Sequence, residues 1–512
     1  MTAQCGREGT QVLTESTAEV VVAGAGPTGL TLAYELALAG VETLVLEKLD
    51  RRVEQVKGGS LQPRTSELLD ARGLLEPLLK RATPREPVGG HFAALPVPLD
   101  CAPWQTRHPF PVPVPQWEIE EVLQERATAA GARVVRGAAV SGVEQDEEGV
   151  TVTAGGQRVR ARHLVACDGG HSTVRALLGL PFPGRPGTRQ SVLADIRLTA
   201  VSPLVPRQLG HMSTLLRQAG DHWAMLAPLG GDRYRFTFGL TSGTQDTERE
   251  APVTAEEITT ALRVVYGAET TLGTIDNSSR FSDATRQLEQ YRTGRVLFAG
   301  DAAHIHPPLG GQGLNLGMQD AFNLGWKLAA VVRGRAPGSL LDTYHSERHP
   351  VGAQVLHHTS AQRVLADPNP GEDVAALRDI VTDLLRLPDT NRHLAGLMSG
   401  LALRYDLPGD HPLTGHRLPD TDLLTETGPT RLSTLFTTGH ALLLDLTGTI
   451  PPTTPLPPHV TLTHATPTST TPPATALLVR PDTYVHWATD DPAPDVDDIP
   501  LAWTDRQPTP GP

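Results

Sequence analysis

Apolar and polar positions alternate most legibly between Val20 and Lys48. Val20 to Val22 form a β-branched run, a turn follows with Gly24, Gly26 and Gly29, and apolar residues then recur at helical spacing through Tyr34 and Leu38. A second apolar run ends on Glu47. This order predicts strand, helix, strand: a βαβ unit that carries G-x-G-x-x-G. Further on, a helix with Thr65 or Ser66 as its cap buries Leu68, Leu69 and Leu74, and Pro84 to Pro115 reads as irregular chain with short strands. A helix from Glu118 to Ala130 ends at Gly131, and strands follow at Ala139 to Val143 and Val150 to Thr153. The run Ala161 to Cys167 is another strand, closed by Asp168, Gly169 and Gly170. Between about Gly184 and Phe281 helix signals are scarce, and Tyr234, Phe236 and Phe238 give one strand an aromatic face. Gly294 to Asp301 is a strand ending on an acid, followed by helices over about Leu314 to Arg333 and Ser339 to Gln354. Residues 447–475 are dominated by Thr and Pro and read as a linker or loosely ordered loop between two apolar strands.

The βαβ pattern carries its own chemistry. Gly24 permits a tight turn, Gly26 lets backbone approach a pyrophosphate, and Gly29 lets the helix pack on the strand. The helix opening at Pro27 and Thr28 offers free N–H groups and its positive end to phosphates. Glu47, with Lys48 beside it, stands where a carboxylate accepts ribose hydroxyls, which favours an unphosphorylated ribose. Arg64, just before a helix, is a candidate phosphate contact.

Composition narrows the field. A chain of 512 residues accommodates two or three domains, and 39% hydrophobic with 20% charged residues suits a globular protein. The formal charge of −13 argues against a nucleic-acid surface. No apolar run approaches a membrane span, and the polar start lacks the order of a signal peptide, so the expected location is cytoplasmic. Cys5, Cys101 and Cys167 show neither metal nor redox spacing. His304 and His306 lack the companions of a metal site, so no metal is expected.

At three strand ends the chain resembles the class A FAD-dependent aromatic hydroxylases. The likeness rests on GAGPTG at Gly24 to Gly29, CDGG at Cys167 to Gly170, and GDAAHIHPPLGGQGLNLGMQDAFNLGWKL from Gly300 to Leu328. Within that family it looks most like the bacterial hydroxylases of aromatic polyketides and the rifamycin monooxygenases. The resemblance implies an α/β fold: a Rossmann-like FAD-binding domain over 18–180 and 286–395, interrupted near 85–115 by a substrate-domain insertion. A β-rich substrate domain at 181–285 and a thioredoxin-like C-terminal domain at 396–512 complete it. The tail has no C-x-x-C, so no redox role is expected of it.

The resemblance also assigns residues. Glu47 would bind ribose, Arg64 and Gln116 the phosphates and adenosine side, and Asp168 and Gly169 the pyrophosphate and nicotinamide path. Asp301 would hold the ribityl chain or pyrophosphate. Pro307 and Pro308, with Gly310, Gly311, Gln312, Gly313, Leu314 and Asn315, would wrap the isoalloxazine. No side chain is named as catalytic, since the cofactor carries the chemistry. His91, Phe92, Trp104, Trp223, Phe236 and Phe238 are candidates for the substrate wall.

The implied reaction is monooxygenation. NADPH or NADH reduces FAD, O2 gives a flavin C4a-hydroperoxide, and one oxygen passes to a polycyclic aromatic substrate, in antibiotic biosynthesis. The alternatives are rifamycin-type inactivation, Baeyer–Villiger oxidation, a dehydrogenase that adds no oxygen, and a flavin-binding protein without turnover. The partner expected is a small molecule, with the chain a monomer or homodimer and neither nucleic acid nor membrane involved.

Overall fold

Val20 to Ala23 pair in parallel with Thr43 to Leu46 on one side and with His163 to Ala166 on the other. In the computed structural model, which describes residues 16–53, 58–83, 87–241, 251–468, 474–495, 498–501 and 503, this strand is central to an eight-stranded sheet. Arg133–Arg136 extends the sheet beyond Thr43–Glu47, and Val296–Phe298 extends it beyond Gln157–Ala166. Val20, Val21, Val22, Leu44, Val45, Leu164 and Val165 are all fully buried. Parallel strands covered on both faces read as continuous apolar runs, which is why this part of the chain was so plain. Helix Pro27–Leu38 packs between helices Gln116–Ala129 and Gly313–Val332.

A second sheet has the strand order Thr271–Ser282, Gln190–Ala200, Arg233–Leu240, His222–Gly230, Leu216–Ala219. Its aromatic face is closed by a helix the sequence reading missed, Ala255–Tyr266, which starts at a Thr254/Glu257 capping box. The Phe236 and Phe238 rings stack 4.7 Å apart, and Tyr266 of the helix meets Phe236 edge-on at 6.2 Å.

The C-terminal sheet corrects the reading of 447–475. Val460–Pro467 is a strand, parallel to Ala441–Asp445. Threonine suits a pleated surface, and its β-branching outweighs the prolines around it. Residues 469–473, and Cys5, lie outside the described residues. Four helices also differ from expectation. Pro63 occupies the first turn of Pro63–Asp70, so Thr65 and Ser66 lie inside that helix and Gln62 precedes it. Asp342–Leu365 runs on through Pro350, and Glu372–Leu385 and Pro388–Ser399 follow it.

Buried charges fasten the C-terminal sheet to the rest. Arg72 makes a two-pronged contact with Glu35 at 2.8 and 2.9 Å and donates to the Phe436 and Pro481 carbonyls. Arg480 grips Glu347 at 2.9 and 2.8 Å and Asp482 at 3.0 and 2.6 Å, while Lys327 Nζ lies 2.8 Å from Glu347. Beside them, Asp320 accepts from Arg348 Nε at 2.7 Å, lies 2.8 Å from His304 Nε2, and accepts the Gly300 N–H at 3.1 Å. Burial works against the Asp320 carboxylate, yet Arg348 and His304 hold it below the usual carboxylate range.

Candidate active site

Strands ending at Ala23, Ala166 and Phe298 are parallel neighbours in one sheet, so the turns after them meet at their carboxyl ends. There they wall a cleft of about 480 Å³.

The three glycines of the first turn do different work. Gly24 has φ +103°, and a Cβ on it would stand 2.4 Å from the Cys167 carbonyl oxygen. A Cβ on Gly29 would stand 2.0 Å from the Gly24 oxygen, so Gly29 is a packing position away from the cleft wall. At Gly26 a Cβ would meet nothing within 4 Å, because that face is open cleft. Thr28 is wedged against the third turn: a Cβ on Gly300 or Gly317 would come within 2.7 or 2.3 Å of its hydroxyl. Helices Pro27–Leu38 and Gly313–Val332 thus aim their N-termini at one space.

Glu47 is fixed by its own backbone, accepting the Ala25 N–H at 2.8 Å and the Leu49 N–H at 3.0 Å. Each oxygen keeps a lone pair for a ligand hydroxyl. Lys48 lines the same end, as does Gln116, which accepts the Gly58 N–H at 3.0 Å and donates to Glu120 at 2.7 Å. At the middle turn Asp168 Oδ2 accepts the Val174 N–H at 3.1 Å, whereas Oδ1 is buried without a protein partner. Gly169 and the exposed Asp301 complete this stretch of wall.

Pro308, Gly311, Gly313 and Leu314 line the far end. Gly310 and Gly311 take φ of +76° and +63°, which curls the loop. Asn315 supports that curl from behind: it accepts the Gln62 N–H at 2.7 Å and donates to the Ser60 and Gly311 carbonyls, each at 2.9 Å. Gln312 likewise donates to the Met398 carbonyl at 3.1 Å, and Gly310 packs on the Met398 methyl. Asn315, Gln312 and Gly310 therefore shape the loop without facing the cleft.

Several expected residues lie elsewhere. Arg64, 1% exposed, donates to Glu67 at 2.9 Å, to the Asp482 carbonyl at 2.9 Å and to Thr483 at 2.8 Å. It ties the C-terminal sheet down and does not line the cleft. The six substrate candidates are likewise away from it. Phe236 and Phe238 form the core beneath helix Ala255–Tyr266, and Phe92 packs with Leu385, Ala395 and Met398. His91 meets His211 at 6.3 Å, and Trp223 covers Gly239 on the sheet. Trp104 donates to the Arg392 carbonyl at 2.8 Å and borders a separate cavity of about 520 Å³ under the C-terminal sheet.

The face opposite the aromatics is the one that looks toward the cleft. Arg235 Nη1 stands 2.9 Å from where Gly59, a cleft residue, would carry a Cβ. It is held by Asp195 at 3.0 and 3.3 Å, and Asn277 donates to the same carboxylate at 3.2 Å. The polar alternation Arg233, Arg235, Thr237 was visible in the sequence, but the side it faced was not. His306 also lines the cleft. Among the described residues no group of three or more His, Cys, Asp or Glu is placed to hold a metal ion, and no helix is long and apolar enough to cross a membrane.

The open face of Gly26, the anchored Glu47, the unpartnered Asp168 oxygen and two helix N-termini fit a dinucleotide diphosphate and its riboses. Comparison with known proteins agrees. Residues 17–359 match the FAD binding domain family, and residues 411–506 the aromatic-ring hydroxylase C-terminal family. The chain is 47% identical over 485 residues to the 12-dehydrotetracycline 5-monooxygenase/anhydrotetracycline 6-monooxygenase of Streptomyces rimosus, covering 92% of this chain and 95% of that protein. It is 43% identical to the rifampicin monooxygenase of Streptomyces venezuelae, over 92% and 96% of the two chains. The solved structure of OxyS anhydrotetracycline hydroxylase from Streptomyces rimosus superposes with a TM-score of 0.82 at 45% identity, covering 92% of this chain and 96% of that one. The chain belongs to the FAD-dependent monooxygenases that carry an aromatic-ring hydroxylase C-terminal domain.

Proposed function

We propose that this protein uses NAD(P)H and dioxygen to hydroxylate a multicyclic aromatic polyketide, with FAD in the cleft, as a step in antibiotic biosynthesis. The observation that carries the reading is the meeting of Gly26, Glu47, Asp168, Asp301 and the Pro308–Leu314 loop in one cleft. The activities named for its relatives, on anhydrotetracycline and on rifampicin, support a polycyclic substrate.

FAD bound here supplies reduction by the nicotinamide and activation of dioxygen. The chain's own residues bind and orient. Gly26 to Thr28 and the helix N-terminus hold the diphosphate, and Glu47, Lys48 and Gln116 the adenosine side. Asp168 and Gly169 border the diphosphate and the nicotinamide path, and Asp301 accepts ribityl hydroxyls. Gly311, Gly313 and Leu314 present backbone to the ring, where the positive end of helix Gly313–Val332 stabilises negative charge. With aromatics at only 4% of the chain, aliphatic walls and the Arg235–Asp195 pair hold the substrate. In the tail, a parallel strand pair flanked by antiparallel Ala476–Val479 and Val485–Thr489 supports a thioredoxin-like reading.

The test is product mass after turnover with NADPH and isotopically labelled dioxygen on angucyclinone- and anthracyclinone-like phenols, rifampicin and simple ketones. One labelled oxygen in a polycyclic phenol is expected. Label in rifampicin alone would move the protein to antibiotic inactivation, label in an ester to Baeyer–Villiger chemistry, and flavin bleaching without label would contradict oxygenation.

A further inference from the structure

His306 stands on the cleft wall beside Gly313, and its two ring nitrogens are not equivalent. Nδ1 lies 2.8 Å from the Pro307 carbonyl oxygen. A carbonyl can only accept, so in the neutral ring Nδ1 carries the proton and Nε2 the lone pair. Nε2 is buried and has no protein partner. Burial, aided by His304, lowers the ring's affinity for a second proton against the opposing pull of the Pro307 carbonyl and Asp301. Nε2 is therefore an acceptor at neutral pH.

Its position gives that acceptor a purpose. Nε2 lies 3.6 Å from where a Cβ on Gly313 would stand, at the first residue of helix Gly313–Val332. The opening N–H groups of a helix are donors without intrahelical partners. One corner of the cleft thus offers donors beside an acceptor, the complement of a ligand edge in which a carbonyl adjoins an N–H. Resting on the reading that FAD occupies the cleft, we infer that His306 Nε2 accepts a hydrogen bond from the imide N–H of the flavin pyrimidine ring, next to the carbonyl that faces the helix. His306 is then a binding residue that sets the register of the ring against the Pro308–Leu314 loop. Leaving the imide N–H buried and unpaired is the cost of losing it.

The test is reconstitution of apoprotein, followed through quenching of flavin fluorescence, with FAD and with its 3-methyl analogue, which lacks that N–H. Wild type is expected to bind FAD about tenfold more tightly than the analogue, and His306→Leu to bind FAD about tenfold more weakly than wild type does. His306→Gln, which keeps a carbonyl acceptor, should recover affinity to within about threefold. His306→Leu should also no longer discriminate between the two flavins. Equal binding of both flavins by wild type, or undiminished FAD binding by a folded His306→Leu, would overturn the inference while leaving the FAD site intact. Wild type that takes up neither flavin would remove the reading beneath it.

Discussion

On the cleft side of the turn at Gly300, polar atoms stand without protein partners: Asp168 Oδ1, His306 Nε2 and the exposed Asp301 carboxylate. Behind the same turn, Asp320, Arg348, Glu347, Arg480, Glu35 and Arg72 are equally polar and nearly all more deeply buried, yet each faces an opposite charge. An unpaired buried polar atom is expensive, and on a cleft wall a ligand can complete it; a paired one holds structure. The two regions are coupled, since Asp320 accepts the Gly300 N–H of the turn that carries Asp301 into the cleft. The rear lattice sets the shape of the front.

That contrast can be broken from behind first. Arg348→Leu would leave Asp320 buried without its main counter-charge, a loss of about 3–5 kcal/mol. Thermal melts should show a strongly destabilised or insoluble chain, and the added change Asp320→Asn should recover part of the loss.

Acid attacks the buried histidines before the carboxylates. Burial pushes His91, His163, His358 and His486 each down to about 4. Between the unperturbed pKa of about 6.5 and that value the unfolded chain binds protons the folded chain refuses, so stability falls as pH falls, by up to about 3 kcal/mol per histidine. The Asp320 and Glu347 pairs add their loss only below the usual carboxylate pKa of about 4. Melts from pH 8 to pH 4.5 should decline below about 6.5, with a shallower decline for His358→Gln.

A matched pair of glycine variants sharpens the front. Gly29→Ala places a methyl group against backbone and should cost about 1–3 kcal/mol of stability. Gly26→Ala adds its methyl to open cleft, so the apoprotein should melt as wild type does while FAD affinity, read by fluorescence quenching, falls at least about tenfold. Smallest of all, Arg107→Ala removes a half-exposed pair with Asp420 and Asp422 and should move stability by less than about 1 kcal/mol.

What the sequence made legible were residues whose role is local. Glu47 ends a strand, and Gly24, Gly26, Asp168 and Asp301 each follow one within a few positions; strand ends announce themselves. Arg64 has no such context: its partners Asp482 and Thr483 lie 418 and 419 residues away, so nothing nearby distinguishes it from a phosphate ligand. Phe236 and Phe238 show the limit of periodicity, which sorts residues into two faces without saying which faces the core. Helix Ala255–Tyr266 did carry a signal, the Thr254/Glu257 box before Ile258, Leu262 and Val265, and it was outweighed by the strands around it. His306 was hidden because its proton placement depends on a single carbonyl contact.

The proposal that joins both regions is that unpartnered polar atoms at the sheet edge form the FAD site. It is tested most directly by a crystal structure of the FAD-reconstituted protein. Expected are the diphosphate over Gly26 to Thr28, a ribose on Glu47 and the isoalloxazine against Gly311 to Leu314 beside His306. Density for FAD in another cavity, or an adenosine end far from Glu47, would contradict it.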